Sequence, residues 1–362
     1  MKKIYSILAL LSISILVAQA GTPATPYYNG FNWTLTGTAL KNALVTKITT
    51  THTNLLSYTP GIWEASRITD LDPDNSNNVL LIYGWENGFD NSLTNDRIRD
   101  KTTNGGGNGQ WNREHVYAKS LGNPKLDDSA PSDAGEDAHH IRPADVQWNN
   151  TRGSLTFAAG SGNSGNVAGG WYPGDEWKGD VARMMMYMYL RYGDQCLPIN
   201  VGTGTSPTSD SNMVNLFLQW NAEDPVSAFE DARNTYHGNT SNTYAQGNRN
   251  PFIDNPYLAT RIWGGPVAQN RWSSIILNIE TFDKFANIAI YPNPTNNHKI
   301  NIQTDIVLDE IDLINIDGKL IQVIKKPSLE NQTYTLDNLQ QGIYFLKMIS
   351  ENQSTTKSII VN

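Results

Sequence analysis

Apolar and polar positions follow three different rhythms along this chain, and each rhythm marks a region. Lys2 and Lys3 precede a mainly apolar run from Ile4 to Val17 that closes on Ala18-Gln19-Ala20. A cationic start, an apolar run this short and an A-x-A ending predict a signal peptide over residues 1–20, cleaved before Gly21. No later segment is long and apolar enough for a bilayer span, so no stable span is expected in the mature protein. From Gly21 the pattern becomes mixed. A helix is predicted from Leu35 to Ile48, and the compact run from Asn77 to Trp85, flanked by Asn, Asp and Gly, predicts a buried strand. After a Gly-rich loop, Trp111 and Asn112 open another strand that leads to Glu114 and His115. The apolar block from Val181 to Leu190 predicts a buried helix ending at Gly193, with Met184, Met185, Met186 and Met188 as core. Asn212 to Asn234 reads as two helical pieces broken at Asp224-Pro225. From about Asn278 the helical blocks stop and short alternating runs follow, separated by Pro, Asn, Asp and Gly turns, with Asp317-Gly318 as a hairpin signal. The pattern thus predicts an α+β domain over residues 21–277 and a small all-β antiparallel sandwich over residues 278–362.

Composition narrows the function classes. With 362 residues, 39% hydrophobic and 10% aromatic, the chain can bury real cores and is not disordered. A net charge of -8 argues against a nucleic-acid binder working through a broad basic surface, but leaves room for a local cationic cleft. The single cysteine, Cys196, excludes an internal disulfide and a Cys-rich zinc site, and reads as a small buried hydrophobe.

Chemistry concentrates between Trp111 and Gly153, which holds three of the six histidines, His115, His139 and His140, beside Glu114, Glu136, Asp137 and the Asn149-Asn150 pair. Residues of this kind are costly to order unless they pair with each other, with a metal or with a charged ligand. Phosphodiester hydrolysis needs a base for water, a cation for developing charge and contacts to phosphate. His115 can serve as base, Glu114 and Asn149 as hard oxygen donors, and Arg113, Arg142 and Arg152 as phosphate contacts. Further along, Asp180 and Arg183 sit one turn apart on an apolar helix. They read either as an ion pair or as a phosphate-facing arginine held by its aspartate. Adjacent histidines project differently on a strand or a helix, so His139 and His140 are assigned hydrogen-bonding roles rather than a zinc site, with Glu136 and Asp137 as supporting carboxylates or loop solvation.

The motifs Asn112-Arg113-Glu114-His115-Val116, Asp137-Ala138-His139-His140-Ile141-Arg142-Pro143 and Asn149-Asn150-Thr151-Arg152-Gly153 resemble the endonuclease I family of exported bacterial nucleases, within the His-Me finger (ββα-metal) superfamily. The likeness continues through Lys178 to Arg183, Trp220 with Asp224-Pro225-Val226, and Gly247 to Asp254, covering roughly residues 55 to 265. The resemblance implies that Glu114 and Asn149 bind a divalent metal, Mg²⁺ first with Mn²⁺ or Ca²⁺ as alternatives. It further implies that His115 activates water, that Arg152 stabilises the scissile phosphate or leaving group, and that Arg183 contacts the substrate backbone. Asn150 is the alternative second ligand.

Tyr291-Pro292-Asn293-Pro294-Thr295, Asp317-Gly318-Lys319, Gly342-Ile343-Tyr344 and the terminal Lys357 to Asn362 resemble the C-terminal sorting domain of the type IX secretion system. That likeness implies passage through the periplasm and across the outer membrane, with release or surface attachment. The expectation is a secreted, monomeric, metal-dependent endonuclease acting on DNA and, as an open alternative, on RNA. Two other classes are carried beside it: a zinc-dependent extracellular hydrolase of cell-wall or protein substrates, and a noncatalytic surface adhesion protein suggested by 10 Trp and 16 Tyr.

Overall fold

The computed structural model describes residues 21–87, 91–129, 134–272, 285, 288–304, 306–350 and 353–362. The expected signal peptide and the expected boundary at 277/278 lie outside the described residues. The described residues fall into two compact units, one within Met1–Leu277 and the other within Asn278–Asn362.

In the first unit the apolar spacing of helix α1 (Gly37–Thr51) puts Leu40, Leu44 and Ile48 on one buried stripe. Helix α2 (Trp63–Thr69) leads into an antiparallel sheet of β1 (Leu71–Asp72), β2 (Asn75–Leu80) and β3 (Ile98–Asp100). The apolar run expected as one strand from Asn77 to Trp85 is buried from Val79 through Tyr83, yet the strand ends at Leu80. The chain turns there, with Tyr83 at a φ of 75°. Strand β4 (Trp111–His115) pairs antiparallel with β5 (Ile141–Asp145), and helix α3 (Val146–Arg152) follows directly. Asp145 starts α3 by accepting hydrogen bonds from the amides of Gln147 (2.8 Å) and Trp148 (2.9 Å), the usual work of an N-cap carboxylate.

After a short hairpin of β6 (Gly165–Val167) and β7 (Gly170–Tyr172), helix α4 (Lys178–Tyr192) runs through the core. Every residue from Gly179 to Leu190 is buried, which is why this helix is apolar nearly all round. It packs against α1, and against α5 (Asn215–Glu223) and α7 (Pro251–Asp254), which flank α6 (Ala228–His237) in sequence. The break at Asp224-Pro225 stands, and α6 restarts on a capping box in which Ser227 and Glu230 satisfy each other's backbone amides. Helix α8 (Tyr257–Trp263) completes this unit.

The second unit is all-β. Its strands are β8 (Ala289–Tyr291), β9 (Ile300–Gln303), β10 (Glu310–Asn315), β11 (Leu320–Lys325), β12 (Thr333–Leu336), β13 (Gly342–Ser350) and β14 (Gln353–Val361). They form antiparallel sheets in the orders β11-β10-β13-β14 and β12-β9-β8. Ile302, Ile311, Leu313, Tyr334, Leu346 and Met348 close one core between the two sheets. Asp317-Gly318 makes the β10–β11 turn, with Gly318 at a φ of 77° that suits a residue lacking a Cβ.

Candidate active site

The β4–β5 pair and α3 bring together residues more than thirty positions apart. In the register, Glu114 faces Arg142 and His115 faces Ile141. Alternation along β4 places Asn112 and Glu114 on one side and Arg113 and His115 on the other. Asn149 and Arg152 lie one helical turn apart, so α3 presents both to the end of β4. The result is an open cleft of about 260 Å³ whose walls include Arg113, Glu114, His115, Lys119, Lys125, Asn149 and Arg152.

Among the described residues, each donor in this cleft has a defined free atom. His115 Nε2 lies 2.9 Å from the Gly135 carbonyl oxygen. A carbonyl only accepts, so Nε2 carries the proton and Nδ1 keeps its lone pair. Burial, and then the neighbouring His140, lower the His115 pKa to about 3, so the ring is neutral at neutral pH. Its face packs against Tyr58 at 5.5 Å, and Tyr58 in turn lies 3.4 Å under the Arg113 guanidinium. Both described contacts to the Glu114 carboxylate fall on Oε1: the Tyr83 hydroxyl at 2.9 Å and Arg152 at 3.3 Å. Burial raises the Glu114 pKa, with Arg152 and Tyr83 opposing that rise, so the carboxylate gains from additional positive charge. Asn149 donates its amide Nδ2 to Asn112 Oδ1 at 2.8 Å, which leaves its own oxygen as the available acceptor. Asn150 is exposed and does not line the cleft.

These atoms fit a hard divalent cation. One carboxylate and one amide oxygen in an open cleft suit an ion that keeps most of its waters. Among the described residues no group of three or more His, Cys, Asp and Glu side chains is arranged to hold a metal. His139 and His140 diverge as adjacent residues do. His139 Nε2 meets the Asn248 carbonyl at 3.1 Å, whereas His140 Nε2 meets the Ala134 carbonyl at 2.7 Å.

Three arginine assignments look different in three dimensions. Arg142 and Arg183 are wholly buried, and their expected phosphate contacts are corrected. Arg142 pairs with Asp70 (2.6 Å) and Asp180 (3.2 Å), while Arg183 forks onto Glu230 at 2.6 and 2.8 Å and lies 3.7 Å from Asp180. Of the two readings left open for Asp180 and Arg183, the ion pair is the one formed. Arg152 lines the cleft but is 1% exposed, and its guanidinium holds the carbonyls of His115 (3.3 Å) and Val116 (2.9 Å). It therefore clamps the end of β4 onto α3 and sets a positive charge beside Glu114.

The supporting carboxylates are structural neighbours of the site. Glu136 Oε1 accepts the Tyr58 amide at 2.9 Å. Asp137 accepts from the hydroxyls of Tyr187 (2.7 Å) and Tyr192 (2.9 Å) and from the His139 amide (2.8 Å). His52 and His237, which the sequence left unassigned, join this buried cluster: His52 lies 4.0 Å from Asp137 and His237 packs 5.1 Å from His139. Lys119 and Lys125 in the cleft wall were also missed. Only their nearness to His115 in sequence could have suggested them. Tyr83 and Tyr58 gave no signal.

A neutral histidine with a free lone pair, hard oxygen donors and nearby cations is the equipment of a phosphodiester hydrolase. The family model described as Endonuclease I matches residues 36–257, and that described as Secretion system C-terminal sorting domain matches residues 289–362. The extracellular ribonuclease of Bacillus amyloliquefaciens is 43% identical over 237 residues, covering 63% of this chain and 74% of the relative. The extracellular ribonuclease of Bacillus subtilis (strain 168) is 41% identical over 265 residues, covering 70% of this chain and 84% of the relative. Among solved structures, the PorZ surface component of the type-IX secretion system of Porphyromonas gingivalis covers 22% of this chain and 12% of its own, at 13% identity and a TM-score of 0.18, too low to bear on the fold. The chain belongs to the Endonuclease I family and carries a type IX sorting domain. It is a nuclease destined for secretion or the cell surface.

Proposed function

We propose that this protein is a metal-dependent endonuclease that hydrolyses phosphodiester bonds in DNA and RNA with little sequence specificity. The observation that carries this reading is the convergence of His115, Glu114 and Asn149 on one cleft. The antiparallel β4–β5 pair running straight into α3 supports the His-Me finger (ββα-metal) assignment. Glu114 and Asn149 would hold the divalent ion, most simply Mg²⁺, which when bound supplies positive charge to the scissile phosphate.

The protein's own groups supply the rest. His115 Nδ1 takes a proton from the attacking water, and the Gly135 carbonyl stabilises the charge this leaves on the ring through Nε2–H. Arg152 holds Glu114 Oε1 and keeps a positive charge near the reacting phosphate. Arg113, Lys119 and Lys125 hold flanking phosphates, contacts that carry no base information and so give low sequence specificity. The names of the Bacillus relatives favour RNA as one substrate. Residues 1–20 act as the export signal, residues 21–277 as the nuclease, and residues 278–362 as the sorting domain read by the type IX machinery. The mature protein is a monomer in this account.

Supercoiled plasmid and a structured RNA, incubated with the purified protein in Mg²⁺, Mn²⁺, Ca²⁺ or EDTA, provide the test. Both should be cut with Mg²⁺ or Mn²⁺ and spared in EDTA. Protein inert toward both polymers under every condition would favour the adhesion reading instead.

A further inference from the structure

Tyr83 occupies a conformation that a bulky side chain rarely adopts. Its φ of 75° lies in the left-handed region, and such outliers persist only where the surroundings over-determine them. The surroundings here do so from several directions. The ring is fully buried and meets Trp171 edge-on at 5.5 Å. The Tyr83 carbonyl accepts from the Ser164 hydroxyl at 2.6 Å, and the next carbonyl, of Gly84, accepts from the Trp177 indole at 2.9 Å. Position 84 has no room for a side chain, because a Cβ there would lie 2.2 Å from the Asp96 carbonyl oxygen.

This turn delivers one polar atom to the cleft wall, the Tyr83 hydroxyl that donates to Glu114 Oε1 at 2.9 Å. Ser164 connects the turn to the other side of the site, since its hydroxyl oxygen also accepts from the Trp148 indole at 2.9 Å. Trp148 is the neighbour of Asn149 on α3. One serine thus ties the residue that holds Glu114 to the helix that carries Asn149.

We propose that Tyr83 is the positioning residue of the metal-binding carboxylate. With Arg152 it occupies Oε1, so that Oε2 is the oxygen offered to the cation, and Ser164 keeps Glu114 and Asn149 in register across the cleft. The inference rests on the reading of Glu114 and Asn149 as ligands. Phenylalanine at position 83 fills the same space and sustains the same turn but donates nothing to Glu114.

Calorimetric titration of Mn²⁺ into the metal-stripped full chain tests this, on wild type, Tyr83→Phe, Ser164→Ala and Glu114→Gln, with thermal melts and steady-state cleavage on the same samples. Tyr83→Phe should raise the Mn²⁺ Kd by roughly 10- to 100-fold, the usual effect of losing a partner behind a ligand. Its melting temperature without metal and its KM for plasmid should match wild type, and its kcat should recover at saturating Mn²⁺. Ser164→Ala should act in the same direction but more weakly, and it decides the matter by the same readout if Tyr83→Phe does not fold. Wild-type Mn²⁺ affinity in both variants, beside lost affinity in Glu114→Gln, overturns the role of Tyr83 alone. Failure of wild type to bind Mn²⁺, or full affinity in Glu114→Gln, overturns the ligand assignment and this inference with it.

Discussion

His115 Nε2 faces the Gly135 carbonyl oxygen at 2.9 Å, and this contact fixes which ring nitrogen can accept a proton. His115→Ala should therefore lose at least the roughly hundredfold typical of general-base assistance, with folding and Mn²⁺ affinity unchanged. Because burial lowers the ring's pKa to about 3, wild-type kcat/KM should show no acid limb from His115 between pH 5 and 7. A limb near the ordinary histidine value, about 6.5, that disappears in His115→Ala would contradict the buried, neutral assignment.

The buried arginines give a contrasting expectation. Arg183→Met leaves Glu230 buried without its counter-charge, while Asp180 keeps Arg142, and breaking such a buried pair costs about 3–5 kcal/mol. In a domain of this size the melting temperature should fall by on the order of 10 °C. The folded fraction should keep its KM for nucleic acid. Lys125→Ala should do the opposite, raising KM in a salt-dependent way with no change in melting temperature. A raised KM in Arg183→Met without loss of stability would restore the substrate-contact reading.

What the sequence made legible follows the range of the interactions involved. The pattern led a strand up to Glu114 and His115, and the short motifs singled out Asn149, whose helix the sequence reading did not predict. The apolar block around Met185 marked α4 because a fully buried helix needs no polar face. Arg142 and Arg183 misled because a charged side chain inside a motif looks the same whether its partner is phosphate or a distant carboxylate. Glu230 lies 47 positions from Arg183, beyond any local pattern. Tyr83 was invisible for a related reason: NNVLLIYGW reads as a strand, and only packing against Trp171 and Ser164 forces the turn.

The histidine cluster predicts acid lability. Burial depresses His139 and His140 to about 4, and lowers His52 and His237 as well. In the unfolded chain these rings titrate near 6.5, so between about pH 6.5 and pH 4 the unfolded state binds more protons than the folded one. Stability present above pH 6.5 is then lost as the pH falls toward 4, each fully differing histidine contributing about 1.4 kcal/mol per pH unit. Denaturant melts at pH 7.5, 6, 5 and 4 should show a steady fall, and His139→Gln should flatten it. A midpoint independent of pH across this range would show that these histidines do not remain buried and neutral.

In the function we propose, Glu114 and Asn149 hold the divalent ion that His115 works beside. The measurement that bears on it most directly is a Mg²⁺ titration of plasmid cleavage by wild type, Glu114→Gln, Asn149→Ala and Asn150→Ala. Glu114→Gln and Asn149→Ala should need much more Mg²⁺ and recover partly at high Mg²⁺, Asn150→Ala should behave nearly normally, and wild type should not cleave in EDTA. A severe defect in Asn150→Ala beside a mild one in Asn149→Ala would move the second ligand by one residue, and wild-type cleavage that resists EDTA would contradict the metal mechanism itself.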